Sequence, residues 1–205
     1  METDFFYTIA NPSEGIFTEK SSKFLAFAFQ VSSEDEVKQH LNDLKKKYFD
    51  ARHHVYAFII GINQETYRAS DDGEPSNSSG PPVLGQIRSM NLTNTLIVVV
   101  RYFGGTKLGV PGLINAYKTV AKNALDNAKI IKKYVEKKIE IIFDYEDMNF
   151  VMKVIKDYEA NIISQEFQEN CSIICTIRLS LYEKFIESLK QNHKLIIKHN
   201  EEGIC

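Results

Sequence analysis

Apolar and polar residues follow two periods along this chain, one of two residues and one near 3.6, and the switches between them mark its elements. Residues 24–31 form an apolar, aromatic-rich run that reads as a strand, reached through an N-terminal segment placed to pair with it as a hairpin. A helix follows, with Val37, Leu41, Leu44 and Tyr48 at helical spacing, Ser33 at the N-cap, and Glu34, Asp35 and Glu36 complementing the first turn. Strands are expected over 54–62 and 66–69. Residues 71–82 hold no apolar side chain, and their Asp-Gly, Ser, Asn and Pro content predicts a long loop. Next come a short helix over 82–89 and a strand over 94–101, built on the unbroken apolar run Leu96 to Val100. A helix over about 111–129 then turns Leu113, Tyr117, Val120, Ala121, Ala124 and Ala128 inward and Asn115, Lys118, Lys122 and Lys129 toward the opposite face.

From about Lys133 the pattern changes. It reads strand 134–143, helix 146–159, strand 161–168, strand 172–179, helix 182–191 and strand 194–199, with Glu169-Asn170 as a tight turn between the middle strands. That β-α-β-β-α-β order is the ferredoxin-like plan. The expectation is an α+β protein of two domains, 1–132 and 133–205, without a Pro-, Gly- or Ser-rich linker between them.

Composition narrows the class. A chain of 205 residues with 43% hydrophobic content can fill packed cores. No window approaches the roughly twenty apolar residues that cross a bilayer, and the acidic start, with Glu2 and Asp4, does not resemble a signal peptide. A cytoplasmic location and no membrane contact are expected. Three cysteines, Cys171, Cys175 and Cys205, are too few for a disulfide framework. Net charge is −2, which disfavours a grip on nucleic acid through overall charge. Between Arg101 and Lys132, however, six cations face one anion, Asp126.

Chemistry concentrates at the junction of the buried strand and the basic helix. The stretch Arg101-Tyr-Phe-Gly-Gly-Thr-Lys-Leu-Gly-Val-Pro-Gly112 joins glycines, two cations and a helix N-terminus, a combination that can gather free amides around an anion. It matches neither a Walker loop nor a dinucleotide fingerprint. Arg101, Gly104, Gly105, Lys107, Gly109, Lys118 and Lys122 are therefore the candidate contacts for a ligand or nucleic acid, with a tight structural turn as the plain alternative. Arg52, His54, Asp71, Asp72 and Glu74 form a supporting cluster. The acids suit a cation, acid-base chemistry, or a salt bridge to Arg52 or Arg101, the last being favoured. Strand alternation lets at most one of His53 and His54 face that site. No Cys or His spacing predicts zinc, no nucleophile elbow surrounds Ser76, Ser78 or Ser79, and no cofactor or metal is expected. Cys171 and Cys175 share a strand face as buried thiols, and Tyr102 and Phe103 are core aromatics or base-stacking surfaces.

Three segments, Asp50-Ala-Arg-His-His54, Ser70-Asp-Asp-Gly-Glu-Pro-Ser76 and Arg101-Tyr-Phe-Gly-Gly-Thr-Lys-Leu-Gly109, resemble in order the signatures of the IMPACT/YigZ family, and the second half resembles the bacterial YigZ-like branch in size. The resemblance implies an N-terminal α/β sandwich similar to the second domain of a small-subunit ribosomal protein and a C-terminal domain similar to the last domain of elongation factor G. It also implies a non-enzymatic role in translation or stress response, with RNA, the ribosome or a translation-associated protein as partner. Two segments depart from the family pattern, Asn77-Ser-Ser-Gly80 and Val110-Pro-Gly-Leu-Ile-Asn115; the second lacks one usual glycine and one usual arginine. Two rivals stand beside that expectation. One is an enzyme or binder acting on a small phosphorylated ligand at the Asp71, Asp72, Glu74 and Arg101 loops; the other is a protein-interaction module that never meets RNA.

Overall fold

The computed structural model describes residues 4–167 and 171–204. The chain runs β1 (Phe5–Ile9), β2 (Ser13–Glu19), β3 (Ser22–Gln30), α1 (Glu34–Lys47), β4 (His53–Ile60), β5 (Thr66–Ser70), α2 (Gly80–Ser89), β6 (Thr95–Tyr102), α3 (Gly109–Asp126) and β7 (Ile130–Tyr134). It continues with β8 (Glu136–Phe143), α4 (Met148–Asp157), β9 (Asn161–Phe167), β10 (Cys171–Arg178), α5 (Leu179–Leu189) and β11 (Ile196–Ile204). The class is mixed α+β. The elements gather into two compact units, Phe6–Lys132 and a second made of Met1–Phe5 with Lys133–Cys205. Among the described residues no helix is long and apolar enough to cross a membrane.

The first unit is an antiparallel five-stranded sheet in the order β2-β3-β6-β4-β5, covered by helices on both faces. Alternation along the strands decides which residues meet which helices. From β6, Ile97 and Val99 join Leu84 and Ile87 of α2 and Leu113, Val120 and Ala124 of α3 in one core, while Leu96, Val98 and Val100 join Val37 and Leu44 of α1 in the other. Burial on both faces explains why β6 reads as a continuous apolar run.

Local chemistry sets the helix starts. The Ser33 side chain accepts from the Glu36 amide, and the Glu36 carboxylate returns to Ser32 N at 2.7 Å, so the first turn of α1 is capped from both directions. Helix α2 begins at Gly80, two residues before the expected start at Pro82, because proline is tolerated in a first turn that needs no amide donors. Helix α3 begins at Gly109, also two residues early.

The second unit has the element order β8-α4-β9-β10-α5-β11, with its sheet ordered β11-β8-β10-β9. Ile139, Ile141 and Phe143 of β8 pack with Cys171, Ile173 and Cys175 of β10 beneath Val151 and Phe185 of α4 and α5. The anticipated strand over 134–143 is broken at Val135. That residue is buried, its amide donates to Asp4 O and its carbonyl accepts from Leu179 N, so β7 turns away to pair with β1. The expected Glu169-Asn170 turn lies outside the described residues.

Candidate functional site

Cross-strand register brings the site together. Arg101, near the end of β6, lies opposite Phe24 of β3 on one side and His53 of β4 on the other, so the three share the sheet face covered by α2 and α3. The Arg101 side chain is only 6% exposed, and Nη1 donates to Glu74 Oε1 at 2.5 Å, where the Glu74 side chain is 4% exposed. Tyr117, fully buried on α3, donates its hydroxyl to that same oxygen at 2.8 Å. Burial, and then the adjacent carboxylate, push the Tyr117 phenol far above its ordinary value, so it stays protonated and serves as a fixed donor. The guanidinium lies 5.4 Å from the Phe24 ring centre and 5.6 Å from that of Phe103, and Nη2 reaches Ser22 Oγ at 3.4 Å. Arg101 Nε is buried and has no hydrogen-bond partner among the described residues. An unsatisfied buried donor of this kind costs about 1–3 kcal/mol.

The acidic loop divides its three carboxylates among three tasks. Asp71 Oδ1 accepts from Ser79 N at 3.0 Å, Gly80 N at 2.8 Å and Ser79 Oγ at 2.6 Å, while Oδ2 accepts from Asn77 N at 2.8 Å. It therefore caps α2, whose own N-cap residue, Ser79, makes no side-chain cap. Burial opposes ionisation of Asp71, but these hydrogen bonds outweigh it and hold the carboxyl below its usual range. Asp72 Oδ2 accepts from His54 N at 2.6 Å, and Asp72 O meets His53 Nδ1 at 2.8 Å. Glu74 alone turns to Arg101, which makes that residue the recipient of the salt bridge and leaves exposed Arg52 outside it. Among the described residues no three His, Cys, Asp or Glu side chains come together as a metal site.

His54 requires a correction. Alternation along β4 sends it to the α1 side, opposite Val100, away from Arg101 and Glu74; His53 is the histidine beside the acidic loop. The His54 ring is buried, its Nε2 has no partner among the described residues, and burial lowers its basicity.

The glycine loop is part scaffold and part open surface. A side chain at Gly104 would place Cβ 2.0 Å from the Ser21 carbonyl carbon, and the Gly104 amide already donates to Ser22 Oγ at 3.1 Å. That amide holds the loop against the β2–β3 turn and is unavailable to a ligand, contrary to its place among the candidate contacts. Gly105 adopts φ +86 with nothing near its Cβ position, and Gly109 opens α3 at φ +73. The candidate cations also separate. Arg101 is consumed by Glu74, Lys122 is bridged to Asp126 one helical turn on, and Lys107 and Lys118 are exposed without an ion pair among the described residues.

Arg101, Glu74 and Lys107 converge on one cavity of about 320 Å³. Its other walls are Pro75, Phe103, Leu108, Gly109, Val110 and Leu113. Phe103, Val110 and Leu113 bring apolar surface, and the first turn of α3 supplies one side with no side-chain cap from Leu108. Tyr117 and Ser22 were missed as members of this cluster. The signal for Tyr117 was a polar-tipped aromatic on the buried face of α3, since such hydroxyls need a partner.

An antiparallel sheet clasped by helices, with a buried Glu-Arg-Tyr cluster under a glycine loop, defines an α+β protein with a small cavity walled by two cations, one carboxylate and apolar side chains. The chain belongs to the IMPACT family: residues 20–125, which contain every residue of that cluster, match the family model described as the Impact N-terminal domain. It is 30% identical to an IMPACT family member of Haemophilus influenzae, spanning 90% of this chain and 91% of that one. It is 27% identical to the IMPACT family member YvyE of Bacillus subtilis, spanning 91% of this chain and 82% of the other. A crystal structure of a hypothetical protein shares the fold over 98% of this chain and 99% of its own, with a TM-score of 0.72 and 24% identity.

Proposed function

We propose that this protein is a non-enzymatic regulator linked to translation, and that it binds RNA through the glycine loop and the outer face of α3. Membership of the IMPACT family supports a regulatory role, and the resemblance of its signature segments is what suggests translation and RNA. One observation carries the contact surface: Lys107 and Lys118 are exposed and form no ion pair among the described residues, Lys107 lying between the open Gly105 and the uncapped start of α3. Phosphates are recognised by such free cations and amides, whereas Arg101 acts from beneath by fixing the loop. The enzyme reading is less well supported, since Asp71, Asp72 and His54 are turned to other partners.

With Lys107 and Lys118 as the phosphate contacts, the plot of log affinity against log salt for single-stranded RNA has a slope of about −1.4. Charge reversal at Lys107 and Lys118 together flattens it. No binding to single-stranded or ribosomal RNA at low salt overturns the reading. Recovery of a single protein, without RNA, after crosslinking in lysate favours the interaction-module alternative.

A further inference from the structure

We infer that the cavity above Arg101 is a binding site for a small organic monocarboxylate, its charged end toward Lys107 and the start of α3 and its body against Phe103, Val110 and Leu113. The site shares Lys107 and the start of α3 with the RNA reading but does not rest on it, because it is a concavity of about 320 Å³ with mixed walls, the size and character of a small-molecule site.

Three observations select the ligand. Arg101 lines the cavity with a side chain more than nine-tenths buried, so its charge stands at the base of the site with little solvent to screen it. The first turn of α3 forms one wall without a side-chain cap, which leaves its amides to an outside acceptor. Both features ask for an anion. The third sets its charge: Arg101 and Lys107 are opposed by Glu74 in the same wall, a net of one positive charge. A carboxylate balances it, whereas a phosphate monoester near neutral pH carries close to two negative charges and must set the second against Glu74. The walls of Phe103, Val110 and Leu113 then require an apolar body of a few carbons, because these side chains offer no hydrogen bond.

The test is a titration of the ¹⁵N-labelled full chain, followed by NMR, with hexanoate, hexanol and hexyl phosphate as probes. Hexanoate is expected to move the amides of Gly105, Gly109 and Leu113 saturably in the millimolar range, hexanol about tenfold more weakly, and hexyl phosphate more weakly than hexanoate. Lys107→Gln weakens hexanoate severalfold, Lys153→Gln on α4 leaves it unchanged, and Glu74→Gln raises hexyl phosphate relative to hexanoate. Equal binding of hexanol and hexanoate, shifts scattered away from the cavity, or no saturable shift overturns the inference. A chain that binds RNA and ignores hexanoate sinks this inference alone.

Discussion

Arg101 and Glu74 meet at 2.5 Å in the interior of the N-terminal unit, and neither side chain reaches a tenth of its full exposure. A pair this buried is worth little against an apolar replacement of both members, but loss of one member strands the other. Glu74→Ala is therefore expected to destabilise the protein by about 3–5 kcal/mol. Tyr117→Phe, which removes one bond to the same carboxylate, costs about 1.5–3 kcal/mol. Chemical denaturation of both variants, monitored by far-ultraviolet circular dichroism, checks the order. An equal cost for the two would show that the ion pair is not the dominant contact.

Asp71 makes stability sensitive to acid. Its folded pKa lies below its unfolded value, so its contribution is fully present above the unfolded value near 4 and is lost as pH falls through the folded one. Asp71→Asn should be less stable at pH 7 by about 1–2 kcal/mol, in line with the loss of a helix cap, and should lose less on going below pH 4. Denaturant midpoints measured from pH 7 to pH 3 read both effects.

His54 acts in a higher window. Its folded pKa is depressed by burial, so the unfolded chain binds a proton first as pH falls below about 6.5 and stability declines from there toward the folded value. Replacing His54 with Gln is expected to flatten the pH dependence of unfolding between pH 7 and pH 5. A variant with the unaltered profile removes His54 as its source.

Gly104 and Gly105 are neighbours with opposite tolerance. An added methyl at Gly104 meets backbone at 2.0 Å, and the loop must lift from the β2–β3 turn, so Gly104→Ala is expected to cost about 3 kcal/mol. Gly105→Ala meets only open space and carries the strain of a positive φ, about 1 kcal/mol. Thermal denaturation of the two variants side by side separates close packing from backbone freedom.

Cys171 and Cys175 are buried in the sheet of the second unit, and burial pushes the Cys175 thiol up to about 11. Neither is expected to be alkylated by iodoacetamide at neutral pH until the unit unfolds, because the thiolate is the reactive form. Peptide mapping by mass spectrometry with and without denaturant reads this directly.

Local patterns carried most of the architecture. The Ser33 cap, the α1 stripe of Val37 and Leu44, and the doubly buried run of β6 were each decided by neighbours within one turn or one strand. The site was less legible because its geometry is made by pairings distant along the chain. Alternation on β4 limits the site to one histidine, yet only the register against β6 shows that it is His53 and not His54. The Glu74 partner was among the alternatives for the acidic loop, but the capping role of Asp71 depends on amides six to nine residues away, which the turn chemistry of Asp-Asp-Gly does not reveal. The β1–β7 ribbon joins segments more than a hundred residues apart and left no periodic trace.

Val135 takes its backbone acceptor from Asp4, and residues up to Phe5 belong with the half of the chain that begins at Lys133. The two halves are thus unequal under the scissors. A fragment over 6–132 keeps both of its cores and every member of the Arg101 cluster, and is expected to fold alone. A fragment from 133 onward leaves behind the carbonyl that completes its first strand junction, and is the piece that should suffer from separation.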